Sequence, residues 1–119
     1  MGAKLDLFTV EQNPRVCEAG EVIFRQYDMG CEMYIVLEGE VELTLGPNVV
    51  ETLGQGEPFG EMALIDQAPR VATAVARTAC KLAVIPERRF LFMVQTTPHF
   101  ALQLMKVMAD RLRKMNERA

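Results

Sequence analysis

The chain has 119 residues, half of them hydrophobic and 24% charged, with a formal net charge of -3. That is enough for one domain with its own core, and too apolar for a disordered segment. The acidic balance, with a pI near 5.2, excludes the basic field on which non-specific nucleic-acid binding rests, so DNA and RNA are not expected partners.

The N-terminal MGAKLDLF lacks the charged-then-apolar layout of a secretory signal, and Asp6 stands where a myristoylation motif needs Ser or Thr. No stretch approaches the ~20 apolar residues of a membrane helix. A cytoplasmic protein without membrane contact is expected. Cys17, Cys31 and Cys80 are odd in number and lack CxxC spacing, which suits buried or partly buried free thiols in a reducing compartment.

From Val16 to Pro86 short apolar runs alternate with glycine: VIF, MYIVLEG, VELTLG, VVETLG, VATAVA and CKLAVIP. Brief strands and turns at this spacing predict a sandwich or jelly roll. Within it, Val41, Leu43 and Leu45 alternate with Glu42 and Thr44, the pattern of a half-buried strand. Gly-Glu occurs at 20, 39, 56 and 60. The first three copies read as turns. The fourth, in FGEMAL, is flanked by apolar residues and predicts a helical turn with Glu61 at its start.

After Pro86 the texture becomes helical. PERRFLFMVQ has helical spacing, and Thr97-Pro98 supplies an N-cap followed by proline at the first helical position. In the last helix Ala101, Met105, Met108, Leu112 and Met115 form a stripe spaced 4, 3, 4, 3. Such a stripe covers either its own domain or a second copy of the chain, giving a possible homodimer through the C-terminal helix.

The sequence offers little for catalysis. His99 is the single histidine, which rules out a site of two or three histidine ligands, and its place near a helix start suits a surface residue. No GxSxG, GxxxxGK[ST] or GxGxxG motif is present, and no cysteine has the flanking residues of a nucleophile. The chain is expected not to be an enzyme, and no cofactor or metal is implied.

Residues 59–74, FGEMALIDQAPRVATA, place a glutamate and an arginine among small apolar residues, where charges need a partner. One reading is an ion pair between Glu61 and Arg70. The other is an anion site. A helical turn beginning near Gly60 presents free backbone N–H groups to a phosphate, and Arg70 adds a guanidinium fork. Glu61 then accepts hydrogen bonds from sugar hydroxyls, since a carboxylate beside a phosphate repels it. Ala63, Ala68, Ala72, Ala74 and Ala76 leave room for the ligand. The residues alone do not choose between the two readings.

Phe-Gly-Glu-x-Ala-Leu followed by Pro-Arg-x-Ala resembles the phosphate-binding cassette of cyclic-nucleotide-binding domains, the regulatory domains of cAMP-dependent protein kinase, bacterial catabolite activators and nucleotide-gated channels. AGEVIFRQYDMGCEMYIVLEGEVEL is similar to the early strands of that family, so the resemblance spans nearly the whole chain. It implies one domain over 1–119 that is mainly β with flanking helices: an eight-stranded β-roll or jelly roll over 15–86, its cassette at 59–74. A short N-terminal helix and closing B and C helices over 87–118 complete it. It further implies Arg70 on the cyclic phosphate, Glu61 on the ribose 2'-hydroxyl, and amides around Gly60 and Ala63 on phosphate oxygens. Phe59, Met62, Val71 and Ala72 complete the expected ligand-binding set.

Val71 stands where cGMP-preferring members often carry Thr or Ser, which leans the expectation to cAMP with cGMP possible. Tyr27 replaces a usual glycine before Asp28 and puts that turn in question. The expected mechanism has Leu64 moving with the cassette, helix 87–95 with Phe90 and Leu91 swinging toward the roll, and Leu104, Met108 or Leu112 as a lid. The effector, which the resemblance does not identify, is expected to be a separate molecule or a partner subunit. The alternative is a dimerisation or scaffold module whose pocket takes no nucleotide.

Overall fold

The computed structural model describes residues 13–118, so the expected N-terminal helix lies outside the described residues. In chain order the strands are β1 (Arg15–Cys17), β2 (Val22–Phe24), β3 (Glu32–Glu38), β4 (Val41–Leu45), β5 (Asn48–Leu53), β6 (Pro58–Phe59), β7 (Thr73–Ala76) and β8 (Cys80–Pro86). The helices are α1 (Met62–Ile65), α2 (Glu87–Thr96) and α3 (Pro98–Arg118). The strands form two antiparallel sheets of four, ordered β1-β8-β3-β6 and β2-β7-β4-β5. This is the expected mainly β roll closed by two helices.

Strands β3 and β8 read as apolar runs over Met33 to Leu37 and Leu82 to Ile85 because both faces of their sheet are covered. Tyr34, Val36 and Leu82 join Val41, Leu53 and Phe59 inside the roll. Their neighbours Met33, Ile35, Ala83 and Ile85 face the other way, onto Leu64, Phe90, Phe100 and Leu104. Burying a side chain of this size contributes about 1.5–3 kcal/mol, so the two clusters hold the helices to the roll. Strand β4 alternates as its sequence suggests, with Val41 fully buried opposite Ala76 and Leu43 opposite Ala74.

The fully buried thiols are Cys17 and Cys80, whereas Cys31 is exposed, against the expectation for it. All three are free.

Thr97 alone separates α2 from α3, and Pro98 opens α3 as expected. Phe90 and Phe100 meet edge to face at 5.9 Å. The buried face of α3 is not the methionine stripe. Phe100, Leu104 and Val107 are buried, while Met105, Leu112 and Met115 are exposed. Two apolar stripes lie one residue apart on this helix, and the one carrying Phe100 packs on the roll because its aromatic ring fits against Phe90.

Candidate functional site

A cavity of about 800 Å³ opens between the β2-β7-β4-β5 sheet, the α1 segment and α3. Its polar end is made by Gly60, Glu61, Ala63, Arg70 and Arg111, and its apolar end by Leu43, Leu45, Val50, Met108, Leu112 and Met115. Within the cassette, Phe59, Met62, Val71 and Ala72 also line it, so every expected ligand-binding residue reaches one cavity. The role of the alanines is narrower than the sequence suggests. Ala63 and Ala72 line the cavity, but Ala74 and Ala76 are buried in the roll's core.

Arg70 is 5% exposed. Its Nη1 donates to the Gly60 carbonyl and its Nη2 to the Glu32 carbonyl, both at 2.8 Å, and the guanidinium lies 4.1 Å over the Phe24 ring. Its Nε is buried without a partner. Close backbone approach makes this possible. A Cβ on Gly60, whose φ is 78°, would stand 2.8 Å from Nη1, and a Cβ on Gly30 would collide with the guanidinium itself. Among the described residues no carboxylate pairs with Arg70, so a buried cation faces the cavity without a counter-charge, a costly arrangement that an anion relieves.

The ion pair between Glu61 and Arg70 does not form. Glu61, at the start of α1 and 6% exposed, pairs instead with Arg111 of α3 at 3.2 Å, and Arg111 also donates to the Pro58 carbonyl. Arg111 was not among the residues expected at the site. It sits between Met108 and Leu112 in sequence, and only the docking of α3 brings it to the cassette, 50 residues away.

The segment before the site keeps its turn despite Tyr27. Tyr27 takes φ 75° and is exposed, its N–H donating to the Arg70 carbonyl at 2.8 Å. Asp28 closes the turn by accepting from the Arg25 N–H at 3.1 Å. Arg70 N–H returns to the Asp28 carbonyl at 2.8 Å, so this turn and the Arg70 backbone brace each other.

Of the expected coupling residues, Leu64 and Phe90 are buried in one cluster with Phe100 and Leu104. Met108 and Leu112 are at the cavity wall. Leu104, expected as a lid, points instead into the core, because it lies on the Phe100 face of α3. Leu91 is exposed on the outer face of α2. Among the described residues no helix is long and apolar enough to cross a membrane.

Comparison with known proteins gives this arrangement a context. A family model described as the cyclic nucleotide-binding domain matches residues 14–97. The chain is similar to a cAMP-dependent protein kinase regulatory subunit of Schizosaccharomyces pombe, 42% identical over 76 residues, 63% of this chain and 18% of that protein. It is similar also to the cyclic AMP receptor protein of Thermus thermophilus, 36% identical over 105 residues, 84% of this chain and 49% of that protein. The crystal structure of the Thermus thermophilus catabolite activator protein superimposes with a TM-score of 0.79 at 34% identity, covering 89% of this chain and 52% of that one. The chain thus spans about half the length of these relatives, or less.

Proposed function

We infer that this chain, which belongs to the cyclic nucleotide-binding domain family, is a regulatory module that binds a cyclic nucleotide, cAMP in the first place, and signals its occupancy to a separate partner through its closing helices. The observation that carries this reading is Arg70: a buried guanidinium on the cavity wall, wedged against Gly30 and Gly60, with Nε unpartnered and, among the described residues, no carboxylate paired with it. A cyclic phosphate supplies the missing charge, and the amides of Gly60 and Ala63 add donors to its oxygens. Glu61 gives one oxygen to Arg111 and keeps the other for the ribose 2'-hydroxyl. The base then lies toward Val71, Ala72, Met108 and Leu112, with Phe59 and Met62 bounding the sugar.

Transmission follows from the packing. Leu64 belongs to α1 and touches the cluster of Phe90 and Phe100, so a cassette drawn toward the phosphate shifts the seat of α2 and α3. Arg111 adds a direct tie from α3 to the carboxylate that meets the ribose. A ligand moves such an equilibrium only by its differential affinity for the two arrangements, and these contacts supply that difference.

Calorimetric titration of ligand-stripped protein with cAMP, cGMP and cyclic di-GMP, with Arg70→Gln as control, tests the proposal. Heat with cAMP that is lost in R70Q is expected, and no heat with any of the three at high micromolar concentration sinks it. If wild type prefers cAMP over 2'-deoxy-cAMP no more than Glu61→Ala does, Glu61 does not meet the ribose. A second reading, a dimerisation or scaffold module without nucleotide, is favoured by one observation: Glu61 already has its counter-charge in Arg111 while Leu102 and Met105 of α3 are exposed. The same titration separates the two.

A further inference from the structure

A carboxylate stands inside the roll where the ladder would ordinarily turn it out. The β4–β5 hairpin pairs Leu45 with Asn48 and Thr44 with Val49. Continued without a break, this register would set Val50 against Leu43 and Glu51 against Glu42, on the outer face. A bulge intervenes. The register resumes with Leu43 opposite Glu51, Glu42 opposite Thr52 and Val41 opposite Leu53, so Val50 is the extra residue.

Directly opposed residues of an antiparallel pair share a face. Glu51 therefore points the way Leu43 and the fully buried Leu53 do, and it lines the cavity, half-buried, at the apolar end. Among the described residues its carboxylate makes no hydrogen bond and no ion pair. An inward carboxylate without a donor destabilises the fold, and it accepts hydrogen bonds only.

We propose that Glu51 reads the base of the ligand, accepting a hydrogen bond from the exocyclic 6-amino group of a purine and rejecting a 6-oxo group in the same seat. The inference rests on the function proposed above: with phosphate at Arg70 and ribose at Glu61, the base takes the apolar end. There Leu43, Leu45, Val50 and Met108 grip any purine ring alike, and Glu51 provides the discrimination. Adenine presents N–H donors at position 6. Hypoxanthine and guanine present an oxygen at position 6, whose lone pairs face a carboxylate seated there; their N1–H donor is on the adjacent ring atom, and reaching it requires the base to shift from that seat.

The test is the affinity of ligand-stripped protein for cAMP, cIMP and cGMP by calorimetry, in wild type, Glu51→Gln and Glu51→Leu. cAMP and cIMP differ at position 6, and wild type is expected to favour cAMP by about tenfold or more, the scale of a hydrogen bond to a charged group. That ratio narrows to about threefold or less in E51Q, whose amide can turn its N–H to an oxo group, and in E51L, which puts an apolar side chain on an apolar wall and folds at least as stably. A ratio unchanged in both variants, or a wild-type preference for cIMP or cGMP, overturns the reading of Glu51 while leaving the nucleotide site intact. Absence of binding by wild type to all three ligands overturns the function proposed above, and this inference with it.

Discussion

The Glu61 carboxylate, at the head of the single-turn helix α1, is held at 3.2 Å by Arg111 from the middle of the C-terminal helix. The pair ties the cassette to α3 across 50 residues of chain. Both groups are largely out of water, with side-chain exposures of 8% and 18%, so removing one leaves the other poorly solvated. Arg111→Ala is expected to cost about 3 kcal/mol, the low end for breaking a buried pair because the guanidinium is partly open. Glu61→Gln in the same chain should recover part of that loss. Urea unfolding of the two single variants and the double variant gives the coupling, expected at about 1–3 kcal/mol; additive losses would mean that the pair does not lock α3.

Arg70 is positioned by two carbonyls and a ring, which a lysine cannot reproduce. Its ammonium is a point charge without the planar fork. Arg70→Lys is therefore expected to weaken cAMP binding nearly as much as Arg70→Gln, by about 100-fold, equivalent to about 2.7 kcal/mol. Gly30→Ala tests the same geometry from the opposite side, since its methyl would enter the space of the guanidinium. It should lower affinity at least tenfold without touching the ligand, and unchanged affinity would show that Arg70 has room to move.

Tyr27 holds a left-handed backbone, φ 75°, with its side chain in solvent. For a residue with a Cβ this conformation costs about 1–2 kcal/mol, part of which glycine returns through its freer unfolded chain. Tyr27→Gly is expected to stabilise the fold by about 0.5–1 kcal/mol, visible as a higher midpoint in urea. A lower midpoint would mean that the ring contributes more than the backbone strain removes.

Burial, and then the Glu32 carboxylate that accepts its hydroxyl at 2.6 Å, push Tyr34 up to about 12 from its ordinary value of 10. Between those values the unfolded chain loses this proton and the folded chain keeps it. The contribution is complete below pH 10 and is lost as pH rises toward 12. Stability measured across this window should fall more steeply for wild type than for Tyr34→Phe, and parallel curves would refute the assignment.

The exposed apolar residues of α3 decide between a lone helix and a paired one. If α3 forms a two-fold seam, light scattering should report a dimer mass that Leu102→Glu with Met105→Glu reduces to the monomer. Both side chains are more than half exposed, so the fold should survive the change. A monomer mass in wild type at high micromolar concentration removes the dimer.

Much of the site was legible because its signal is local. The cassette is one continuous stretch whose small residues, turn and arginine are spaced for a phosphate, and the strands follow from alternation and glycine punctuation. The partner of Glu61 was not legible. Two charged residues nine apart invited an ion pair with each other, and the true partner comes from a helix that only packing brings near. The lid candidates divide for a related reason: Leu104 and Met108 are both apolar and four apart, yet the docking of α3 places Leu104 in the core and Met108, with Leu112, at the cavity wall.

What the amino-acid order determined alone was the roll, its two closing helices and the family to which it belongs, because periods of 2 and 3.6 and turn chemistry are written residue by residue. Tertiary structure alone decided which stripe of α3 faces inward, that Arg111 rather than Arg70 neutralises Glu61, and that a one-residue bulge turns Glu51 into the cavity. Each of these depends on the relative placement of segments distant in sequence or on a register slip, where shape complementarity and desolvation choose between local patterns of equal quality.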